Sequence, residues 1–492
     1  MFNLNTILSR IMGIGEVQRQ SIVSFIWQIA YTFIGFLSTM YFAHAVGASV
    51  LGAYFLFVAY YSIIGMVSDG GFGGAAVKRI SEGEEPDAYF SAFVLLRSIF
   101  VTISLLALIA FRSYFVDLDS EGIFVWLIVA LTVSLVYGTV SSGIAGCGKM
   151  GIHATCGFID NVLRIIVQVV AVFLGFGAAG LAGGFVCGMV VGAIVQFRFF
   201  DLHFVRFGWR HLKSLSTFAF WSFLTSSGMM VFAHADTVVI GYYLSNAEVG
   251  VYHIVLQLAA MATFTTTALR STLWPKVSRW GAIGELELIE ESLSRAFTYS
   301  LILAVPVLAG GVLLGDRLLY FLYGAEFARG HTALMILLVV QIVNIFMFFS
   351  TSYISALNRV KDLFKVTIVA AAANIVLNII LIPMMGIVGA AVATLLTMLL
   401  NAVLARRILS QMITIRIEYD SLWNILKASS VMSIFVGGYC LLIPLSTVWL
   451  TLAPVVLGGM IYGILILKFD RKICNELKGI ATQMNVPLPD WL

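Results

Sequence analysis

Three arginines stand inside apolar runs long enough to cross a membrane: Arg97, Arg164 and Arg270. A charge at that depth is expensive, so it faces a wet cavity or a partner. Arg97 has no acidic residue within a turn, which leaves a cavity or an acid brought from elsewhere in the chain. Arg164 follows Asp160 by four residues on one helical face, a spacing that suits a local ion pair or a pair that opens for substrate. Arg270 lies within a turn of the end of its run, where a long side chain snorkels easily. The three arginines are the candidate substrate-binding residues. Candidate ion-coupling or gating residues are Asp236, His234, Asp160 and Asp69. His234 and Asp236 are two residues apart and are of types that exchange a proton in a wet cavity; the alternative is a helix-end carboxylate bonded to the following loop. Asp69, beside Gly70 and Gly71, reads as a capping or hinge residue. No two carboxylates or histidines have metal-ligand spacing, the five cysteines form no Cys-x-x-Cys, and no phosphate-cradling glycine loop is present. No catalytic residue, metal or cofactor is expected.

The elements that must position these residues are membrane spans. Sixty per cent of the chain is hydrophobic, 11% is charged, and the mean hydropathy is +1.00. A soluble protein of 492 residues would not stay dispersed with so apolar a surface. The net charge of +4 points to no nucleic-acid partner. A crossing needs about 20 apolar residues, and fourteen runs qualify: 21–42, 52–70, 88–111, 122–144, 156–176, 179–199, 216–241, 249–273, 296–315, 332–357, 363–382, 386–408, 425–444 and 448–468. The expected fold is therefore an all-α polytopic membrane protein. With the N-terminus inside, 23 of the 29 Lys and Arg residues, Arg10 and Arg416 among them, fall on the inner side. Three, Arg112, Arg317 and Arg329, fall outside. That asymmetry places both termini in the cytoplasm, in the cell membrane. The segment 198–213 interleaves basic and aromatic residues, as a stretch lying on anionic lipid does. No loop is long enough for a nucleotide-binding domain.

The chain also repeats itself. Val46–Tyr54 is echoed about two hundred residues later by Leu244–Tyr252, each ending in Gly-x-Tyr, and Gly177–Ala182 is echoed by Gly386–Ala391. Six spans separate the Gly-x-Tyr copies, and an even number makes the repeat parallel. The expected organisation is a six-helix bundle over 1–210, a second over 211–415, and two extra transmembrane helices with a cytoplasmic tail over 416–492. The second copy carries Asn374 and Asn378 at mid-depth where the first carries arginines.

Several stretches resemble the polysaccharide flippase branch of the MOP (multidrug/oligosaccharidyl-lipid/polysaccharide) exporter superfamily, the Wzx-like O-antigen flippases and their archaeal relatives. They are Val46–Tyr54 with Ser68-Asp69-Gly70-Gly71-Phe72 and Lys78-Arg79; Ala235-Asp236-Thr237 running into Val249-Gly250-Val251-Tyr252; Pro306 with Leu322-Tyr323-Gly324-Ala325-Glu326-Phe327; and Ser355-Ala356-Leu357-Asn358-Arg359 with Gly386–Ala391. The resemblance implies a non-enzymatic flippase that moves a polyprenyl-diphosphate-linked oligosaccharide from the cytoplasmic to the outer leaflet by alternating access. On this reading the arginines form a cationic central cavity for the diphosphate, whose oxygens suit the planar guanidinium fork. Implied partners are the lipid-linked oligosaccharide, membrane lipids, a proton or sodium ion as candidate coupling ion, and cell-envelope glycan assembly proteins. The competing reading is a cation-coupled drug or small-molecule antiporter of the same superfamily, which would line its cavity with Asp and Glu. A membrane glycan polymerase or ligase would need a sizeable outer loop or a metal-binding Asp motif, and the sequence has neither.

Overall fold

A computed structural model describes residues 16–115, 118, 122–357, 359–415, 418–475 and 478; Arg10, Asn358 and Arg416, used above, lie outside the described residues. The described chain is built from helices, as it must be where no water is present to satisfy backbone N–H and C=O groups. Among the described residues twelve helices are long and apolar enough to cross a membrane. The first of them, α1 (Glu16–Asp69), has 54 residues and would measure about 80 Å if straight, far more than a bilayer needs. It breaks at Gly47, whose φ of 75° and ψ of 179° belong to glycine, so its two limbs carry the first two expected spans. The long helix α7 (Trp209–Tyr243), outside those twelve, carries the seventh. Helices thus account for each of the fourteen expected spans.

The chain divides into two compact units, Met1–Gly250 and Val251–Leu492. In the first, α1 leads through Gly70 and Gly71, both with positive φ, into the short α2 (Phe72–Ser81), then α3 (Pro86–Ala110) and α4 (Phe124–Gly146). Phe72, Ala75, Ala76 and Ile80 of α2 share a core with Phe90 and Phe93 of α3 and with Leu215 and Ala219 of α7. Helix α7 packs on α1, α2 and α3. The hairpin of α5 (Met150–Phe173) and α6 (Gly177–Phe197) closes this unit. Gly180, Gly184, Gly188 and Gly192 recur every fourth residue on α6, and a Cβ at each would come within 3 Å of an atom of α5 or Tyr137, or of Phe176 beside the turn. Small residues at this spacing let membrane helices touch backbone to backbone.

The second unit contains α9 (Phe264–Ile283), α10 (Leu286–Tyr323), α11 (His331–Ala356), the hairpin of α12 (Val360–Met385) and α13 (Ile387–Leu409), and the pair α14 (Tyr419–Leu442) and α15 (Val448–Phe469), both of which pack on α10. The helix α8 (Asn246–Ala260) begins in the first unit and ends in the second. Pro306 interrupts α10. A proline has no N–H, so the carbonyl four residues earlier, Ile302, loses its helical donor. The Tyr462 hydroxyl of α15 donates to that oxygen at 2.7 Å. The added helix pair therefore repairs the hydrogen bond that Pro306 removes.

This repair yields a double-mutant test. Tyr462→Phe should cost about 1 kcal/mol of stability, read as a lower thermal midpoint of the purified protein. In a Pro306→Ala background, where the backbone N–H returns, the same change should cost much less; equal costs in both backgrounds would disprove the link.

Candidate functional site

Arg97 lies eleven residues into α3, about 16 Å along its axis, and is 8% exposed. The structure brings Asp69 to it: Arg97 Nη1 donates to Asp69 Oδ1 at 2.9 Å. Arg97 Nη2 donates to the Ser134 carbonyl of α4 at 3.2 Å, and the guanidinium lies over the Phe93 ring at 5.7 Å. Gly138 on α4 makes the approach possible, because a Cβ there would stand 2.2 Å from Nη2. Asp69 is held on its other side by α2, where Gly73 N–H donates to Oδ2 at 3.1 Å. A carboxylate at a helix N-terminus also meets the positive end of the helix dipole. Of the two expectations for Arg97, a substrate cavity or a distant acid, the structure supplies an acid, Asp69, which lies beside the Gly70–Gly71 turn. The glycine that admits the guanidinium, Gly138, was missed; a lone glycine in an apolar helix gives no sign of what it faces.

Asp160, Arg164 and Gln168 follow one another every four residues along α5, facing the glycine stripe of α6. Asp160 and Arg164 attract each other across the turn. Asp160 Oδ2 also accepts from the Tyr137 hydroxyl at 3.1 Å, and Gln168 Nε2 donates to the Leu181 carbonyl at 2.8 Å. The Arg164 guanidinium lies over Phe185 at 5.7 Å. Unlike Arg97, Arg164 borders open space. A cavity of about 460 Å3 is lined by Trp27, Tyr31, Tyr137, Asp160, Asn161 and Arg164, among others. Trp27 and Tyr31 carried no weight in the sequence, since aromatics at helical spacing in a first span read as lipid-facing.

The remaining candidates are dispersed. Arg270, half-buried on α9 in the second unit, lies over Phe348 at 5.2 Å. Asp236 is 7% exposed within α7, and His234 is half-buried. Two residues apart on a continuous helix, they project about 200° apart and do not face each other. In the second unit the hairpin of α12 and α13 carries neutral polar groups at mid-helix: Asn378 Nδ2 donates to Asn374 Oδ1 at 3.1 Å, and Asn374 Nδ2 to Thr397 Oγ1 of α13 at 3.4 Å. Among the described residues no group of three or more His, Cys, Asp or Glu could hold a metal ion.

The basic and aromatic segment before α7 is tied to the start of α3. Asp87 Oδ1 accepts from His203 N–H and Ser91 Oγ from Val205 N–H, each at 2.9 Å. Glu85 accepts from Arg210 and, at 2.7 Å, from His211 Nε2. His211 Nδ1 takes the Gly208 N–H at 3.0 Å, so the ring proton sits on Nε2 and points at Glu85. The His211 hydrogen bond, followed by that of Arg210, holds the Glu85 carboxyl below its usual pKa.

Residues 43–332 match a family described as "Polysaccharide biosynthesis protein". The chain is 28% identical over 451 residues to the "Probable low-salt glycan biosynthesis flippase Agl15" of Haloferax volcanii, spanning 91% of this chain and 95% of that protein. It is 28% identical over 403 residues to the "Probable flippase AglR" of the same organism, spanning 80% and 83%. Its fold matches the solved structure of the lipid II flippase MurJ in an inward closed conformation. The TM-score is 0.77 at 17% identity, covering 92% of this chain and all of that one. An inward-facing MATE family multidrug transporter of the MOP superfamily matches with a TM-score of 0.63 at 15% identity, covering 77% and 95%.

Two consequences can be measured. Removing Arg97 strands a half-buried carboxylate, so Arg97→Ala should destabilise the purified protein by about 2 kcal/mol. The double change Asp69→Asn with Arg97→Ala should cost less than the single one; additive losses would mean the two residues act separately. Glu85, with a lowered folded pKa, contributes stability that is present above its unfolded pKa and lost as pH falls through the folded value. Hydrogen exchange of residues 198–208 should therefore be faster in Glu85→Gln at neutral pH, and the difference from the parent should vanish on acidification below the ordinary carboxylate range. A difference unchanged by acid would refute the clamp.

Proposed function

The chain belongs to the polysaccharide biosynthesis protein family, and from that premise we propose that it is a flippase that carries a polyprenyl-diphosphate-linked oligosaccharide from the cytoplasmic to the outer leaflet by alternating access. The observation that carries this reading is the contrast between the two deep arginines of the first unit. Arg97 is consumed by Asp69 and the Ser134 carbonyl. Arg164 lines a cavity large enough for part of a headgroup. A guanidinium in such a place offers charge-assisted hydrogen bonds to phosphate oxygens, roughly twice as strong as neutral ones.

The bias of Lys and Arg toward one set of segments supports an orientation with both termini in the cytoplasm, in a cell membrane. The diphosphate would enter from the leaflet where its carrier lipid is made and meet Arg164. Arg97 acts by position, fixing α3 against the break between α1 and α2. Asp236, buried in α7, is the candidate coupling residue for a proton or sodium ion. An antiporter for cationic drugs is disfavoured by the cavity itself: its carboxylate, Asp160, is engaged by Tyr137 and lies beside Arg164.

Reconstituted vesicles loaded with a short-chain prenyl diphosphate oligosaccharide test the role of Arg164. Arg164→Ala should slow translocation about tenfold or more, the worth of one hydrogen bond to a charged group. Adding Asp160→Ala should not restore it. Restoration by the second change would show that Arg164 serves Asp160 alone and would remove it from the substrate path.

A further inference from the structure

The cavity beside Arg164 is not shaped for a phosphate alone. One wall is aromatic. Trp27 and Tyr31 lie one turn apart on the first limb of α1, so they share a face. The Trp27 ring is fixed in place: it stacks on Phe158 with centroids 4.1 Å apart, and its Nε1 donates to Thr155 Oγ1 at 3.2 Å. The other wall, on α5, carries a carboxylate and an amide on neighbouring residues, Asp160 and Asn161, and a guanidinium one turn further on, Arg164. Asn161 Nδ2 and Arg164 Nε are buried there without a hydrogen-bond partner among the described residues. Buried donors left unmet are costly, and an acceptor on a ligand or a water would relieve that cost. Gly157, one turn before Asp160 on α5, also lines the cavity, and a Cβ built on it would meet nothing within 4 Å.

This set of groups discriminates between ligand classes. A phosphate dianion would gain from Arg164 but would be repelled by Asp160. A cationic drug would meet the reverse. A sugar ring is neutral, has an apolar C–H face that lies against an aromatic ring, and carries a rim of hydroxyls that both donate and accept. Carboxylate, amide and guanidinium together supply both halves of those hydrogen bonds. The volume, about 460 Å3, falls within the roughly 300–1,000 Å3 of small-molecule sites.

We infer that this cavity is the subsite that reads the glycan, with Trp27 and Tyr31 as the stacking platform, Asp160 and Asn161 as the hydroxyl-binding rim, and Arg164 at the junction where the first sugar meets the diphosphate. The inference rests on the flippase reading. It adds that selection for the sugar is built into the first unit, separately from the grip on phosphate.

Two water-soluble probes separate these roles: a short-chain prenyl diphosphate bearing a disaccharide, and the same prenyl diphosphate without sugar. Both are titrated into the purified full-length protein in lipid nanodiscs. Gly157→Phe sends a ring into the cavity from a position where a Cβ meets nothing within 4 Å, and its thermal midpoint is read beside the parent's to separate occupancy from misfolding, while Trp27→Ala removes the platform. Each should weaken the sugar-bearing probe about tenfold, the upper end of an aromatic contact, and leave the sugarless probe within about twofold. Arg164→Ala should weaken both probes. Equal weakening of both probes by Gly157→Phe would make the cavity a phosphate site and overturn the inference. Unchanged binding of the sugar-bearing probe in both Gly157→Phe and Trp27→Ala would place sugar recognition elsewhere and also overturn it. If the parent binds neither probe, the flippase reading itself fails and the subsite falls with it.

Discussion

A guanidinium in the middle of an apolar helix must find an anion and hydrogen-bond acceptors, or forfeit several kcal/mol. In the first unit that requirement falls on Arg97, and much of the local architecture answers it. Asp69 can reach Arg97 because α1 ends there, at Gly70 and Gly71, whose positive φ turns the chain into α2. The new helix offers its N-terminus to the same carboxylate. Gly138 leaves the room that the guanidinium needs. The pair thereby fixes α1, α2, α3 and α4 with respect to one another. Broken helices of this kind are tolerated in membranes where protein rather than lipid surrounds the break.

The second deep arginine of this unit, Arg164, stands in a different setting. The α5 helix presents its charged face to the glycine stripe of α6, which brings backbone close enough for Gln168 to bond the Leu181 carbonyl. Arg164 sits at the edge of that contact, partly covered by Phe185 and partly lining the cavity. In the second unit the hairpin of α12 with α13 carries neutral Asn374, Asn378 and Thr397. The two hairpins thus differ, with charge on α5 and amides on α12. The extra pair α14 and α15 serves the second unit through Tyr462, which returns a hydrogen bond to the α10 helix interrupted by Pro306.

The crossings were legible in the sequence because the bilayer leaves so few options: apolar runs of sufficient length become helices, and each expected span lies on helix, the eighth being divided between α8 and α9 by a 3-10 turn at Met261–Thr263. The join between the first two was not, since Gly47 breaks a helix in a way that reads equally as a loop. Candidate residues were legible by type, and their partners were not. Asp160 could be paired with Arg164 from a four-residue spacing, whereas Asp69 and Arg97 are 28 residues apart and meet only through the fold. His234 and Asp236 look adjacent in sequence, yet helical geometry turns them to different sides. The aromatic wall was invisible for a physical reason: tryptophan and tyrosine in a first span are equally at home facing lipid headgroups.

Translocation by the unaltered protein is the most direct measurement of what this arrangement does. A short-chain prenyl diphosphate disaccharide carrying a fluorophore is placed in sealed vesicles containing the protein, and a membrane-impermeant quencher reports how much reaches the outer leaflet. A lipid-linked glycan flippase should deplete the protected pool faster than protein-free vesicles do, and should move the sugar-bearing lipid faster than its sugarless counterpart. Protection equal to that of empty vesicles, together with uptake of a cationic dye driven by an ion gradient, would contradict the flippase and identify a drug antiporter instead.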